Sequence, residues 1–181
     1  MLLPHPPLVD RGAGVALRPW TASAGDVAAL VAAWSDPVLA AANGVPDDAS
    51  AAAAARWLRS DAARRAAGAC LDLVVGPATG GDEVLGEVGL RNIDRDRRRA
   101  EISWWVAADA RGRGVAAASA RLLADWALSE QGDLDQVWAR IDPTNTFSAR
   151  VAAAAGLVEL GSAAGTVVWA RTRAPAGTRP A

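Results

Sequence analysis

The chain has 181 residues, of which 51% are hydrophobic, and this length suits one ordinary globular domain with its own apolar core. A formal net charge of -1 excludes the overall basic field that attracts nucleic acid or an anionic membrane. The one cysteine excludes an internal disulfide and any site built from several cysteines, and a reducing, cytoplasmic setting fits. The first residues lack the pattern of a signal peptide, and no window of about 18 apolar residues predicts a membrane span.

The first third of the chain predicts one strand followed by two helices. The Pro- and Gly-rich stretch 1–14 is expected to be an irregular leader, and the apolar run 15–18 is expected to be a strand. Apolar residues recur at three- and four-residue spacing over 21–34, which predicts an amphipathic helix. Alanine-rich sequence predicts a second helix over 48–67.

The middle of the chain changes to the two-residue period of β-strands. Two short β-rich runs, 69–75 and 84–90, are separated by the Gly/Pro turn 76–81, which predicts a hairpin. A charged connection over 92–99 then leads to a third strand over 100–106. This region therefore predicts three consecutive antiparallel strands.

The last third alternates between helix and strand. A helix is predicted over 114–128, a strand over 136–141 and a second helix over 145–155. A closing hairpin is predicted from the runs 157–160 and 166–171. The order of elements predicts a mixed α/β or α+β sheet with helices on both faces, in a single domain over 15–171. The tail 172–181 is expected to be disordered.

The segment 106–116 carries the strongest chemical signal, because it runs from a predicted strand through a Gly/Arg turn into a predicted helix. Gly112 and Gly114 let the backbone turn tightly and approach a ligand, and a helix start leaves several N–H groups without partners. Such a turn binds anions, and Arg111 and Arg113 add positive charge, so a diphosphate is a natural occupant. The segment is neither a Gly-Lys-Ser/Thr phosphate loop nor a dinucleotide fingerprint, which needs a third glycine.

Arg111-x-x-Gly114-x-Ala116 resembles the Arg/Gln-x-x-Gly-x-Gly/Ala signature with which N-acetyltransferases of the GNAT superfamily hold the pyrophosphate of coenzyme A. Further segments, in family order, resemble the branch of RimJ/RimL-like ribosomal-protein N-terminal acetyltransferases. They are Leu17-Arg18-Pro19-Trp20, Trp34-Ser35-Asp36-Pro37-Val38, Trp57-Leu58, Ala100-Glu101-Ile102-Ser103-Trp104-Trp105-Val106 and Asn145-x-x-Ser148-x-x-Val151-Ala152-x-x-x-Gly156-Leu157. The resemblance covers residues 15–171, and chance agreement of several spaced motifs is improbable.

The resemblance implies the GNAT fold, with a central, mixed but mostly antiparallel sheet of about six to seven strands. Strands 100–106 and 136–141 splay apart in that fold, and the pantetheine arm of the co-substrate acetyl-CoA lies in the gap. The residues that this assigns to coenzyme A are Val106, Ala107, Ala108, Arg111, Gly112, Arg113, Gly114, Val115, Ala116, Asn145 and Ser148. Asn145 can also act as the cap of the helix that follows it.

Acyl transfer to an amine needs a neutral amine, a path for its proton, and a proton for the departing thiolate. The chain contains no tyrosine, so the Tyr that many GNAT enzymes use as general acid is missing. The resembling branch has a serine in that region, which assigns this role to Ser148; a serine bonded to helix backbone is the alternative. Glu101 matches a carboxylate on the fourth strand of related enzymes and could accept the amine proton through water, or it could be a solvated residue beside Arg99.

The function that the resemblance implies is transfer of acetyl from acetyl-CoA to a primary amine by direct attack in a ternary complex, without a metal. The acceptor could be a protein N-terminus or a small-molecule amine such as a metabolite or antibiotic, and the acyl group could be larger, such as succinyl. The missing Tyr also allows a CoA-binding sensor or partner domain without turnover. No nucleic-acid or membrane partner is expected, and a homodimer is left open.

Other conspicuous residues are expected to have structural roles. Four arginines within 95–99 lie in a predicted connection beside aspartates, which favours a solvated loop. His5 lies in the leader, and Cys70 has no histidine to pair with, so neither is expected to be catalytic. Most of the eight tryptophans are expected to be core residues. Four of them could also line an acceptor pocket, namely Trp34, Trp57, Trp104 and Trp105.

Overall fold

The computed structural model describes residues 3–5, 7–43 and 45–174, which form eight strands and five α-helices. The strands are β1 (Val9–Asp10), β2 (Val15–Pro19), β3 (Cys70–Pro77), β4 (Gly86–Asp94), β5 (Arg99–Val106), β6 (Gln136–Ile141), β7 (Val158–Ala163) and β8 (Thr166–Thr172). The helices are α1 (Ala24–Trp34), α2 (Pro37–Asn43), α3 (Ala51–Ala66), α4 (Val115–Ala127) and α5 (Thr146–Ala154).

All eight strands join one sheet in the order β1-β2-β3-β4-β5-β6-β8-β7. Among the strands of the described residues, only β5 and β6 run parallel to each other, which confirms the prediction of a mixed, mostly antiparallel sheet. The number of strands is eight instead of about six to seven. The additional strand is β1, which lies inside the stretch 1–14 that was expected to be irregular. It pairs with β2, with Val9 opposite Ala16. A strand of two residues shows no periodicity from which the sequence could predict it.

Two further differences from the sequence prediction lie in connections. The Asp36-Pro37 step ends α1, as expected, but it also begins α2: the Asp36 side chain accepts a hydrogen bond from the Val38 N–H at 2.8 Å, and proline is favoured in the first helical turn. Strand β4 continues to Asp94, into the connection expected over 92–99. Of the tail predicted to be disordered, Thr172 ends β8, and 175–181 lie outside the described residues.

The sheet has helices on both faces, and each face forms an apolar cluster. Strand alternation sends Val88 and Leu90 to the face covered by α4, where they join the larger cluster. The opposite face, under α1 and α3, carries a smaller cluster that includes Leu30, Leu58 and Val74. In the described part of the chain, no helix combines the length and apolar character needed to cross a bilayer.

Candidate functional site

The sheet opens between β5 and β6. The two strands pair only at Arg99, Ala100 and Glu101, opposite 136–138, and from Ile102 onward they separate. The separation produces a cleft of about 510 Å³. Its lining includes Glu101, Ser103, Arg140, Asn145 and Ser148, so the structure brings both predicted catalytic residues and the predicted pantetheine contact Asn145 to one cleft.

The turn between β5 and α4 is built from backbone. Gly112 and Gly114 have φ of +73° and +77°, the left-handed region in which glycine is favoured. Gly114 is the N-cap of α4 and supplies no side-chain cap, so the first N–H groups of the helix, including those of Val115 and Ala116, have no intrahelical acceptor. A Cβ added to either glycine would meet no heavy atom within 4 Å, so the space outside this turn is open. The geometry is that of an anion-binding helix start.

The segment that joins β5 to this turn is tied down within the chain. The Ala107 N–H donates to the Leu85 carbonyl at 2.9 Å, and the Ala107 carbonyl accepts from the Ala110 N–H at 2.9 Å. Residues 108–110 form a short 3-10 helix. Both backbone groups of Ala107, one of the three backbone positions that the sequence assigned to coenzyme A, therefore already have partners within the chain.

The two arginines of the turn differ in what they contact. Arg111 forms an ion pair with Asp36, and its Nε donates to the Val106 carbonyl at 3.1 Å. Desolvation acts to raise the pKa of Asp36, but hydrogen bonds from the Val38 N–H and Arg111 outweigh it, so the pKa is lowered and the carboxylate stays charged. Arg113 is exposed. Arg111 thus fastens the turn to the start of α2, whereas Arg113 is the arginine that faces solvent.

Glu101 is held by two donors at the point where β5 and β6 part. Its Oε2 accepts from the Asn92 Nδ2 at 2.6 Å, and its Oε1 lies 3.4 Å from the Arg140 Nε. The Glu101 side chain is 12% exposed, so it is not the fully solvated residue beside Arg99 that the sequence left open. The Arg140 guanidinium also lies 5.2 Å from the centre of the Trp138 ring.

Asn145 and Ser148 face the cleft from the start of α5. Asn145 is the N-cap, and its Oδ1 accepts from the Ser148 N–H at 2.9 Å, so the capping role foreseen from the sequence is present. The bond engages the Ser148 backbone and leaves its hydroxyl available to the cleft, which Ser148 lines.

A second cavity, of about 200 Å³, adjoins the cleft on the α1 and α3 side. Its lining includes the four tryptophans that the sequence suggested for an acceptor pocket, Trp34, Trp57, Trp104 and Trp105. It also includes Glu87, which sequence reasoning missed. Glu87 is the one glutamate within the β-rich run 84–90. A charged residue in an otherwise apolar strand is a signal that could have identified Glu87 as a site residue.

Cys70 and its neighbours form a buried charged cluster. Potential ligand atoms of Asp61, Cys70 and Asp72 lie within 4.8 Å of one another, but Arg64 and Arg65 form ion pairs with Asp61, and Arg64 also pairs with Asp72. Burial raises the pKa of the Cys70 thiol to about 11, so the thiol is neutral at physiological pH. Cys70 is a core residue, as predicted from the sequence.

A mixed α/β sheet that splays beside a helix start without a side-chain cap is an arrangement that can hold a phosphorylated ligand at the end of a strand. The sequence matches the Acetyltransferase (GNAT) domain over residues 15–158. The chain therefore belongs to the GNAT acetyltransferase family, whose members are enzymes with acetyl-CoA as co-substrate. No curated protein matches it in sequence.

Solved structures share the fold. RimJ of Mycobacterium smegmatis, in complex with CoA-disulfide, has a TM-score of 0.75 at 24% identity, covering 88% of this chain and 83% of that chain. The Microcin C7 self immunity acetyltransferase MccE, in complex with acetyl-CoA and AMP, has a TM-score of 0.75 at 14% identity, with coverages of 88% and 92%. The ribosomal-protein-S5-alanine acetyltransferase of Vibrio fischeri has a TM-score of 0.73 at 18% identity, with coverages of 92% and 96%. These similarities concern the fold alone.

Proposed function

We propose that this enzyme transfers an acetyl group from acetyl-CoA to a primary amine, by direct attack while both substrates are bound at the cleft between β5 and β6. The observation that supports this most is the continuity of the uncapped start of α4 with the point where the two strands separate. A ligand with a phosphate at one end and a reactive group on a long arm fits that path. Acetyl-CoA has this form.

The turn would hold the pyrophosphate with backbone N–H groups. Gly112 and Gly114 present them without side chains in the way, Val115 and Ala116 contribute the free N–H groups of the helix start, and Arg113 adds charge. Arg111 acts indirectly in this proposal, because its ion pair with Asp36 and its bond to the Val106 carbonyl fix the turn. The pantetheine arm would run along 106–108 toward Asn145.

The acyl group arrives already activated as a thioester, so the protein has to position it, polarise its carbonyl and manage protons. A backbone N–H within 106–108 would polarise the carbonyl. Glu101 would accept the amine proton through a water, with Asn92 and Arg140 holding the carboxylate in place. The Ser148 hydroxyl would donate to the departing thiolate. The amine loses one proton, which passes through Glu101 to solvent, and the thiolate gains one, which passes from solvent through Ser148, so both residues return to their starting protonation states.

The acceptor in this proposal is a protein N-terminus or a small-molecule amine, and the reaction takes place in the cytoplasm. A second candidate is a CoA-binding domain without turnover. Two observations favour it: the chain has no tyrosine, and both oxygens of Glu101 already have donors.

Release of the CoA thiol separates the two candidates. Purified protein is incubated with acetyl-CoA and a panel of primary amines and N-terminal peptides, and acetyl-CoA binding is measured by calorimetry in parallel. Thiol release that depends on the amine supports transfer, and a repeat with succinyl-CoA defines the acyl group. Binding of acetyl-CoA without release in any combination would support the sensor, and absence of binding would reject both.

A further inference from the structure

The second cavity has aromatic walls around one buried carboxylate. We call it the tryptophan pocket and define it by Trp34, Trp57, Trp104, Trp105 and Glu87, all of which line it. Its remaining lining is largely aliphatic and comes from α1, α2 and the segment before α3, including Leu30, Leu39 and Val45. The only other charged residue in its lining, among the residues described, is Arg91 at the boundary with the cleft.

The indoles form one connected array. Trp34 and Trp57 meet edge to face, Trp57 and Trp20 do the same, and Trp20 stacks on Trp105, with 6.4 Å between ring centres in each pair. The Trp57 ring already receives the Arg64 guanidinium at 4.1 Å, so a ring of this array takes part in a cation–π contact. Packing of this kind holds the aromatic faces in fixed positions around the cavity.

Glu87 lines the pocket without a matching cation. Its Oε2 accepts from the Trp20 indole N–H at 2.7 Å, the residue is 8% exposed, and it forms no ion pair within the described part of the chain. The nearest arginine on the same strand face, Arg91, donates instead to the Ser103 Oγ at 2.7 Å. A buried carboxylate is costly unless it gains a charged partner or stays protonated.

The pocket and the cleft are adjacent, because Arg91 and Trp104 line both cavities. An acceptor held in the pocket would have to pass these two side chains to reach the place proposed for the thioester. The amine that attacks must be neutral and must lie in the cleft, so a positive charge in the pocket has to belong to another group of the same acceptor.

We propose that the tryptophan pocket binds an ammonium group of the acceptor, with Glu87 as its counter-ion and the indoles as its walls, so that the acceptor is a compact compound with at least two amino groups. This inference rests on the proposed acetyl transfer and narrows its substrate class to diamines and longer polyamines. A cavity of about 200 Å³ accommodates an alkylammonium group and is too small for a folded protein segment.

The pH dependence of binding follows from the groups around Glu87. Burial raises the pKa of Glu87 to about 8, and the negative charge of Asp72 on β3 acts in the same direction. The indoles of Trp20 and Trp105 and the charge of Arg91 on β4 act to lower the pKa of Glu87. On α3, Arg64 and Asp61 lie beside Asp72. Below pH 8 the empty pocket holds a neutral carboxyl, so entry of a cation ionises Glu87 and releases one proton. Cation affinity should therefore rise as the pH passes through about 8.

A direct binding experiment uses tetramethylammonium, whose charge does not depend on pH, and tert-butanol, which is neutral and of similar shape. Calorimetry on the whole chain should show tetramethylammonium binding that tightens between pH 7 and pH 9, with proton release at pH 7, and tert-butanol binding at least about tenfold weaker. Glu87→Gln should remove the pH dependence and weaken binding on the order of tenfold or more. Glu159→Gln, on the fully exposed strand β7, is the matched control and should bind as wild type.

A kinetic experiment on the unmodified protein tests the substrate class. With acetyl-CoA, 1,4-diaminobutane should have a kcat/KM at least about tenfold above that of 4-aminobutan-1-ol, which keeps the reacting amine and loses the second charge. Equal values, or equal binding of tetramethylammonium and tert-butanol, would overturn the inference and leave acetyl transfer to monoamines intact. Glu87-dependent cation binding in a protein that acetylates no amine would instead reject the proposed transfer.

Discussion

The turn at 107–114 and the cleft between β5 and β6 adjoin each other and are built in opposite ways. The turn uses backbone: two glycines with positive φ and the free N–H groups at the start of α4. The cleft uses side chains that come from separate elements, among them Asn92, Glu101, Arg140 and Ser148. A backbone site depends on conformation and tolerates most side-chain changes, whereas a side-chain site depends on single functional groups. Substitutions in the two regions should therefore have different signatures.

The largest effect is expected in the cleft. Glu101→Gln keeps the shape of the side chain and removes the proton acceptor, so it should lower kcat by ~10²-fold while acetyl-CoA affinity stays near wild type. The measurement is thiol release at saturating acetyl-CoA together with calorimetry. The alkaline rise of the pH–rate profile should also flatten. A kcat within a few-fold of wild type would mean that the amine loses its proton to bulk water, and the cleft would then need no base.

These two regions also differ in how well the sequence predicts them. The turn is continuous in the chain, so its glycines, its helix start and its family signature are all visible in eleven residues, 106–116. The Asn145 cap is equally local. The cleft partners are distant in sequence, since Arg140 meets Glu101 across 39 residues, and the ion pair that fastens the turn, Asp36 with Arg111, spans 75. No local pattern pairs such residues, because the sheet order brings them together.

Glu87 shows the same limit more strongly. Its environment is set by Trp20, 67 residues away, and by Asp72 on the neighbouring strand. The sequence predicts a strand there but not which face of that strand meets a cavity. Four tryptophans could be named from the motifs that contain them, whereas the carboxylate among them became visible only in the assembled sheet.

The next effect tests the backbone character of the turn. Gly114→Val should weaken acetyl-CoA binding on the order of tenfold or more, because a branched side chain at φ of +77° distorts the helix start and occupies the space meant for phosphate. Gly165→Val is the matched control: Gly165 has φ of +79° and equally open surroundings, but it lies in the β7–β8 turn. Both variants should lose stability, and only Gly114→Val should lose affinity by calorimetry. Equal affinities would show that the turn does not hold the pyrophosphate.

A smaller effect distinguishes the indirect role of Arg111 from a direct phosphate contact. Since the side chain is bound to Asp36, Arg111→Ala and Asp36→Asn should each weaken acetyl-CoA binding by about fivefold, as expected for loss of a partly exposed ion pair. The double variant should be no worse than either single variant. If Arg111→Ala costs far more affinity than Asp36→Asn, the arginine contacts the phosphate itself, and the turn would depend on a side chain after all.

The smallest effect is expected at Ser148, where the two kinds of construction meet in one residue. Its N–H is bound by the Asn145 cap, which is a backbone interaction, and its hydroxyl faces the cleft. Ser148→Ala deletes the hydroxyl and keeps the cap, so the free energy of unfolding should stay near wild type, whereas Asn145→Ala should lose about 1 kcal/mol with the cap. If the departing thiolate needs a nearby donor, Ser148→Ala should lower kcat by about threefold with acetyl-CoA affinity unchanged. Wild-type turnover in a folded Glu101→Gln/Ser148→Ala double variant would remove both side chains from the mechanism. Catalysis would then rest on polarisation by backbone N–H groups and on positioning, and the cleft would be as much a backbone site as the turn.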